Sequence, residues 1–297
     1  MADIGGILPA LFTPFDDEGE VSPQRLRQLT AFVLEQGVHG LFICGSTGEG
    51  VLLSPQEREQ VAEIVLTEVA GQVPVIVHVG AVATRDAVRL AKHAARLGAE
   101  AVSSVPPFFF QVDEQAMVEH YRLIGQATDL PLYMYYYPAL TGITLHPGLL
   151  DALLTVPHLV GLKFTDPDLY VMRNLIDLSG GRLEVLSGFD EMCLPAQIMG
   201  AVGAVGSTYN FLAPLFLKLY AAYRAGDWTT AQRCQFRANG FIRIMERYRG
   251  LPAAKELMQL LGVPCGPVRR PLRPLTGEER QAFLAEMEEA GLLELYS

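Results

Sequence analysis

Short apolar runs alternate with amphipathic segments along most of the chain, at a spacing of roughly thirty residues per pair. The apolar runs are rich in β-branched and aromatic residues and end at glycine, proline or a polar cluster, which is typical of buried strands. They fall at residues 6–12, 38–44, 73–79, 101–105, 131–137, 159–165, 183–186 and 201–206. Apolar residues three and four positions apart predict helices at 22–33, 54–69, 84–97, 113–128, 146–154 and 169–178. This alternation of eight strands with helices predicts an α/β fold, a (β/α)8 TIM barrel, because right-handed crossovers place the helices outside the strands.

The C-terminal part of the chain shows only helical patterns. The sequence Thr276-Gly277-Glu278-Glu279 has the form of a helix N-cap, as does Ser54-Pro55-Gln56-Glu57 at the start of an earlier helix. We therefore predict a catalytic barrel over residues 1–225 and a helical extension, packed on the barrel, over residues 226–297.

The composition changes this picture little but excludes several classes of function. Half of the 297 residues are hydrophobic and the formal net charge is -10, which predicts a large core and argues against a nucleic-acid partner. Lys218 interrupts the apolar stretch at 211–223 before it reaches membrane-spanning length, and the N-terminus lacks the features of a signal peptide. We therefore expect a soluble, cytoplasmic protein without a membrane partner.

The cysteines and histidines give no sign of a metal centre. Cys44, Cys193, Cys234 and Cys265 are far apart and form no C-x-x-C pair, which favours reduced thiols in the core. The six histidines are scattered, so we expect no metal.

Lys163 lies in the middle of the sixth predicted strand, where both faces should be buried. Burial disfavours the ammonium form of a lysine, and a neutral amine is a good nucleophile toward carbonyl groups. The chain has three other lysines, Lys92, Lys218 and Lys255, and their helical segments predict side chains that reach water. An alternative is that Lys163 pairs with a carboxylate at the end of its strand.

Several polar groups follow other predicted strands, at the end of the barrel where active sites of this fold lie. The loop Gly45-Ser46-Thr47-Gly48-Glu49-Gly50 can turn backbone N–H groups and hydroxyls toward an anion, although most such loops are only turns. It lacks the spacing of a phosphate loop.

The fifth strand carries Tyr133, Tyr135 and Tyr137 on one face, so at least one phenol should point into the barrel mouth. A phenol there can transfer a proton, although simple aromatic packing is the more common role. Asp190-Glu191 and Ser207-Thr208-Tyr209-Asn210 add polar groups after the last two strands, although adjacent acids are usually solvated. Together, these groups favour a lysine that forms an imine with a 2-oxo acid and uses the imine as an electron sink.

The same residues occur in a known family. The order G-S-T-G-E, Y-x-x-P, G-L-K-x-T, G-x-D-E and G-S-T-Y-N resembles the N-acetylneuraminate lyase branch of the dihydrodipicolinate synthase superfamily over essentially the whole chain. The resemblance implies a class I aldolase that reversibly cleaves N-acetylneuraminate to N-acetyl-D-mannosamine and pyruvate. It also implies a homotetramer, and it implies neither a metal nor an organic cofactor.

The resemblance implies a role for each matching residue. Lys163 would form the Schiff base, Tyr135 would carry the proton, and Ser46 and Thr47 would hold the pyruvate carboxylate. The residues implied to contact the sugar-derived part of the substrate are Thr165, Gly188, Asp190, Glu191 and Ser207.

Two departures from the superfamily pattern bear on the function. Leu140 stands where the synthase branch places an arginine for a second carboxylate, which favours the lyase. Phe109 stands where many relatives place a tyrosine that extends the proton relay from a neighbouring subunit, and it has no hydroxyl. The alternatives are an aldolase of the same fold acting on a 2-keto-3-deoxy sugar acid, and a non-catalytic barrel that binds a 2-oxo acid or sialic acid.

Overall fold

The computed structural model describes residues 4–296, in which eight parallel strands form one nearly closed barrel. The strands are β1 (Gly6–Pro9), β2 (Leu41–Ile43), β3 (Val75–His78), β4 (Ala101–Ser104), β5 (Leu132–Tyr136), β6 (Leu159–Phe164), β7 (Glu184–Ser187) and β8 (Gly203–Gly206). From β2 to β8, each strand pairs with the next one in sequence, and β1 pairs with β8. The join between β1 and β2 is a single parallel bridge from Ala10 to Phe42. The predicted TIM barrel is therefore confirmed, with strands somewhat shorter than the apolar runs.

The helices cover the outside of the barrel and continue beyond it. They are α1 (Pro23–Glu35), α2 (Pro55–Val69), α3 (Thr84–Arg96), α4 (Glu114–Gly125), α5 (Pro138–Thr141), α6 (Pro147–Leu153), α7 (Leu169–Leu178), α8 (Cys193–Ile198), α9 (Tyr209–Arg224), α10 (Trp228–Arg247), α11 (Leu251–Leu260) and α12 (Gly277–Glu289). Both predicted capping boxes form, with Ser54 at the start of α2 and Thr276 at the start of α12. Helices α9 and α10 lie on either side of the predicted boundary at residue 225 and pack closely against each other. The division of the chain at this residue stays a prediction.

The core has two layers, as the period of two along each strand requires. The inner layer fills the barrel with Ile4, Leu8, Ala10, Phe42, Ile76, Ala101, Tyr133, Tyr135, Leu186 and Val205. The alternate residues, such as Met134 and Tyr136 of β5, belong to the larger layer between strands and helices. The predicted inward face of β5 is thus confirmed for Tyr133 and Tyr135.

The cysteines agree with the expectation of reduced thiols in the core. All four cysteines are buried free thiols. Between residues 4 and 296, no helix is both long and apolar enough to cross a membrane.

Candidate active site at the barrel mouth

All nine residues singled out from the sequence line one cavity of about 370 Å³ at the carboxyl ends of the strands. They are Ser46, Thr47, Tyr135, Lys163, Thr165, Gly188, Asp190, Glu191 and Ser207. These residues come from the ends of β5 and β6 and from the loops after β2, β6, β7 and β8, which the closed barrel brings together.

Lys163 lies on the inner face of β6 and is only 4% exposed. Its Nζ donates a hydrogen bond to Thr165 Oγ1 at 3.1 Å and lies 3.7 Å from the centre of the Tyr135 ring. The Phe42 ring is the next aromatic neighbour, at 5.5 Å. Lys163 forms no ion pair with any carboxylate in residues 4–296. The alternative of a carboxylate-paired lysine therefore does not occur within the described chain.

Tyr135 lies beside Lys163 because the two residues are register partners on β5 and β6. Burial favours the neutral phenol, but the charge of Lys163 and hydrogen bonds with Lys163, Ser46 and Thr165 outweigh it and lower the pKa of Tyr135 below its ordinary value. The phenol can therefore release a proton more readily than an exposed tyrosine can.

The loop after β2 needs its glycines for steric reasons. A Cβ at Gly50 would lie 1.9 Å from the carbonyl oxygen of Cys44, so only glycine fits there. The loop is closed by hydrogen bonds from Glu49 N to Ser46 O and from Gly50 N to Gly45 O, both at 3.0 Å. This turn brings Ser46 and Thr47 to the cavity.

Gly188 leaves room for the groups around the amine. A Cβ at this position would lie 1.9 Å from Thr165 Oγ1 and 3.1 Å from Lys163 Nζ. Thr165 itself lies next to the amine. Any side chain larger than hydrogen at residue 188 would displace the hydroxyl that accepts the Lys163 hydrogen bond.

Asp190 joins the loops that follow β7 and β8. Its Oδ2 accepts hydrogen bonds from the backbone N and Oγ1 of Thr208, at 2.8 and 2.6 Å. A Cβ at Gly206 would lie 2.1 Å from Asp190 Oδ1, so the bare backbone of β8 makes room for this carboxylate. Burial raises the pKa of Asp190, although the bonds from Thr208 oppose the rise. Much of the hydrogen-bonding capacity of Asp190 is thus used by the protein itself.

Glu191 is a second acidic residue that lines the cavity. Burial and the nearby charges of Asp190 and Glu246 raise its pKa to about 7, against a smaller opposing backbone hydrogen bond. The carboxyl group therefore changes charge in the neutral pH range.

The C-terminal helices also line the cavity, which the sequence patterns did not indicate. Ile242, Met245 and Glu246 reach it from α10, and Gly250 follows them. Their spacing is that of an ordinary amphipathic helix, and nothing local distinguishes residues that face a site from residues that face a core. Only the packing of α10 on α9 brings them to the mouth.

The expectation that Lys255 reaches water is wrong. Lys255 is 2% exposed, and its Nζ lies 2.5 Å from Oε1 of the buried Glu49. Its segment has helical spacing, but it lies on the face of α11 that packs toward the barrel. A buried cation needs a partner, and that partner lies more than two hundred residues earlier in the chain, beyond the reach of any local pattern.

The residues described, 4–296, contain no cluster of histidine, cysteine and carboxylate side chains that could hold a metal ion. The side chains that line the cavity supply one amine, several hydroxyls and three carboxyl groups, those of Asp190, Glu191 and Glu246.

The fold and its cavity define a TIM-barrel enzyme. Residues 3–290 match the dihydrodipicolinate synthetase family. The chain is 38% identical to the N-acetylneuraminate lyase of Rhizobium meliloti over 286 residues. The matched region covers 96% of this chain and 93% of that protein. The chain belongs to the dihydrodipicolinate synthetase family.

Solved structures agree with this assignment. The N-acetylneuraminate lyase of Proteus mirabilis superposes with a TM-score of 0.91 at 35% identity, covering 98% of this chain and 99% of the other. A Clostridium difficile relative in complex with mannosamine superposes with a TM-score of 0.94 at 30% identity, covering 97% of this chain and all of the other. The predictions of the family, the barrel and a carbon–carbon lyase are confirmed.

Proposed function

We propose that this protein is a Schiff-base aldolase that reversibly cleaves N-acetylneuraminate to N-acetyl-D-mannosamine and pyruvate. The observation that carries the proposal is Lys163, a buried amine that no carboxylate of the described chain neutralises, at the mouth of the barrel beside Tyr135 and the Ser46–Thr47 loop. The family supports it, since relatives of this chain in sequence include N-acetylneuraminate lyases.

The first step is imine formation. The Lys163 amine attacks the C2 carbonyl of the open-chain substrate, and loss of water gives a protonated imine. Ser46 and Thr47 hold the neighbouring carboxylate, so the carbonyl carbon is presented to Nζ. The hydroxyl of Thr165, 3.1 Å from Nζ, orients the amine.

The second step breaks the bond between C3 and C4. Tyr135 accepts the proton of the C4 hydroxyl while its own phenolic proton passes to the substrate carboxylate. The C4 oxygen becomes a carbonyl, and the electron pair of the broken bond moves into the imine to give an enamine. The enamine is then protonated at C3, and water releases pyruvate and the free amine. In the synthetic direction, Tyr135 returns the proton to the new hydroxyl.

The far end of the cavity supplies contacts to the sugar chain. Glu191 accepts hydrogen bonds from hydroxyl groups, and Gly188, Asp190 and Ser207 complete this side, with Thr165 between it and the amine. Asp190 contributes largely by holding the loops together, because its Oδ2 is already bonded to Thr208.

Glu191 predicts a pH dependence of sugar-acid turnover. Its pKa of about 7 means that the group is mostly neutral below that pH and charged above it. Since the carboxylate is the better hydrogen-bond acceptor, kcat/KM for N-acetylneuraminate should rise as pH increases through about 7. In Glu191→Gln the rise of kcat/KM with pH should disappear. At pH 8, kcat/KM should fall about 10- to 100-fold, which is the loss expected for a hydrogen bond to a charged group.

The matched control is Glu63→Gln, an exposed glutamate on α2, which should leave the profile unchanged. Imine formation with pyruvate should survive in Glu191→Gln, because pyruvate lacks the sugar chain. Equal losses in turnover and in imine formation would show that Glu191 is not a sugar contact.

One assay separates the proposal from its alternatives. Release of pyruvate from a panel of sialic acids and 2-keto-3-deoxy sugar acids should be fastest with N-acetylneuraminate. Preference for a deoxy-keto acid would support the other aldolase of this fold. Thermal stabilisation by ligands without any pyruvate release would support a non-catalytic binding barrel.

The assembly that we propose is a cytoplasmic homotetramer. Large apolar side chains are exposed in the segments that follow β2, β4 and β5, namely Val51, Phe109, Phe110 and Leu140. Phe109 is 87% exposed and has a φ of 79°, which is rare for a bulky residue unless surrounding structure holds it. Val51 and Leu140 also line an apolar cavity of about 410 Å³ beside the candidate active site. A neighbouring subunit would cover this surface.

We expect light scattering after size-exclusion chromatography to give four times the 32.5 kDa chain mass. Phe109→Asp should shift the distribution toward smaller species, because it places a charge on the covered surface. Leu123→Asp, at a partly exposed apolar residue of α4, serves as the control. A wild-type monomer would contradict the proposed assembly without affecting the proposed chemistry.

A further inference from the structure

The buried ion pair between Glu49 and Lys255 connects the loop after β2 to helix α11. We propose that this pair is a positioning pair for substrate carboxylate binding. It holds the Ser46–Thr47 turn in shape and neutralises the negative charge of Glu49 behind that turn. The inference rests on the proposed function, since it concerns the end of the cavity where a 2-oxo acid carboxylate would bind.

Both charged groups have close partners in the protein. Lys255 Nζ lies 2.5 Å from Glu49 Oε1 and donates to the carbonyl oxygens of Thr13 and Pro267, at 2.9 and 3.1 Å. Glu49 Oε2 accepts a hydrogen bond from Arg269 N at 2.7 Å. The Glu49 side chain is 0% exposed and that of Lys255 is 2% exposed. Such a pair cannot be screened by solvent and is strongly coupled.

The pair acts on the backbone that forms the turn. Glu49 has a φ of 55°, a left-handed conformation that a residue with a Cβ keeps only when its surroundings hold it. The preceding carbonyl, that of Gly48, accepts a hydrogen bond from Thr13 Oγ1 at 2.7 Å. Thr13 therefore donates from its hydroxyl to the turn and accepts from Lys255 at its own carbonyl oxygen. Lys255 thus contacts both Glu49 in the turn and Thr13 beside it.

The loop borders two cavities. Thr47 lines the candidate active-site cavity, Glu49 lines the neighbouring apolar cavity, and Ser46 lines both. A substrate carboxylate bound by Ser46 and Thr47 would lie only a few residues from Glu49. Without Lys255, a buried carboxylate would repel the substrate carboxylate through poorly screened surroundings.

This charge argument predicts an order of affinities. Lys255→Met leaves a net charge of -1 at the pair, the double variant Glu49→Gln/Lys255→Met leaves none, and Glu49→Gln leaves +1. The pyruvate concentration for half-maximal imine formation should be highest in Lys255→Met, at least about tenfold above Glu49→Gln, with the double variant between them. The kcat at saturating substrate should change less than KM, because Lys163 and Tyr135 are untouched.

A merely structural role predicts a different order. Removing one partner of a buried pair leaves the other charge unpaired, so both single variants should be less stable than the double variant. Among the three variants, the double variant should therefore have the highest unfolding temperature. Pyruvate affinity should instead follow the net charge of the pair, with Glu49→Gln highest and Lys255→Met lowest. The two readouts separate positioning of the substrate from stability of the fold.

The experiment is borohydride trapping of pyruvate over a range of concentrations, read by mass spectrometry of the full-length protein. Lys218→Met, at an exposed lysine of α9, is the control and should match the wild type. If Lys255→Met does not fold, the comparison of Glu49→Gln with the double variant still decides. Equal half-maximal concentrations in those two variants would overturn the inference. A wild-type protein that traps no pyruvate on Lys163 would instead overturn the proposed function.

Discussion

Lys163→Ala should abolish turnover, with a fall in kcat of at least about 10⁴-fold, while the barrel remains folded. The amine is the only group in the described cavity that can form an imine, because no other lysine lines it. Removal of the side chain also removes a buried amine that pairs with no carboxylate of residues 4–296, so the free energy of unfolding should not decrease strongly.

The measurement is pyruvate release from N-acetylneuraminate, together with borohydride trapping of pyruvate on the intact protein. The wild type should gain one reduced pyruvate, located on the peptide that contains Lys163. Lys92→Ala, at an exposed lysine of α3, should trap pyruvate and turn over like the wild type. A tag on any other residue in the wild type would refute the imine mechanism.

Tyr135→Phe should lower kcat by about 10²- to 10⁴-fold, the range for loss of a general acid–base group. The ring would still pack against Phe42 and His78, whose centroids lie 6.1 and 5.8 Å from that of Tyr135. Only the hydroxyl and its hydrogen bonds are lost. Trapping of pyruvate should therefore survive, although it requires the same amine.

Tyr136→Phe is the control for this variant. Tyr136 is the next residue on the same strand and is equally buried, but it belongs to the outer core layer and stacks on Phe164. Its kcat should stay near that of the wild type. If both variants lost kcat alike, the loss would reflect packing of β5 rather than proton transfer by Tyr135.

Much of the barrel could be predicted from the sequence because its signals are local. A strand buried on both faces must be an apolar run, and eight such runs separated by helices leave few other topologies. The strand ends were less predictable. Residues such as Phe12 and Val79 remain buried after the ladder stops, so hydrophobicity does not mark where pairing ends.

The mouth could be predicted where its residues lie at strand ends. Lys163 was conspicuous because its neighbours are apolar, and the closed barrel places Tyr135 beside it. The burial of Lys255 was not predicted, because helical spacing does not show which face of a short helix is buried. Its partner Glu49 lies in a sequence that reads as a turn. Long-range pairing of two charges has no periodic signature in the sequence.

The lining contributed by α10 has a practical consequence for engineering. Ile242 and Met245 face the cavity from a helix outside the strand ends that carry Lys163 and Tyr135. Libraries at these two positions can reshape the cavity from the side of α10. Directed evolution of ligand preference can thus proceed on one helix while Lys163 and Tyr135 stay unchanged.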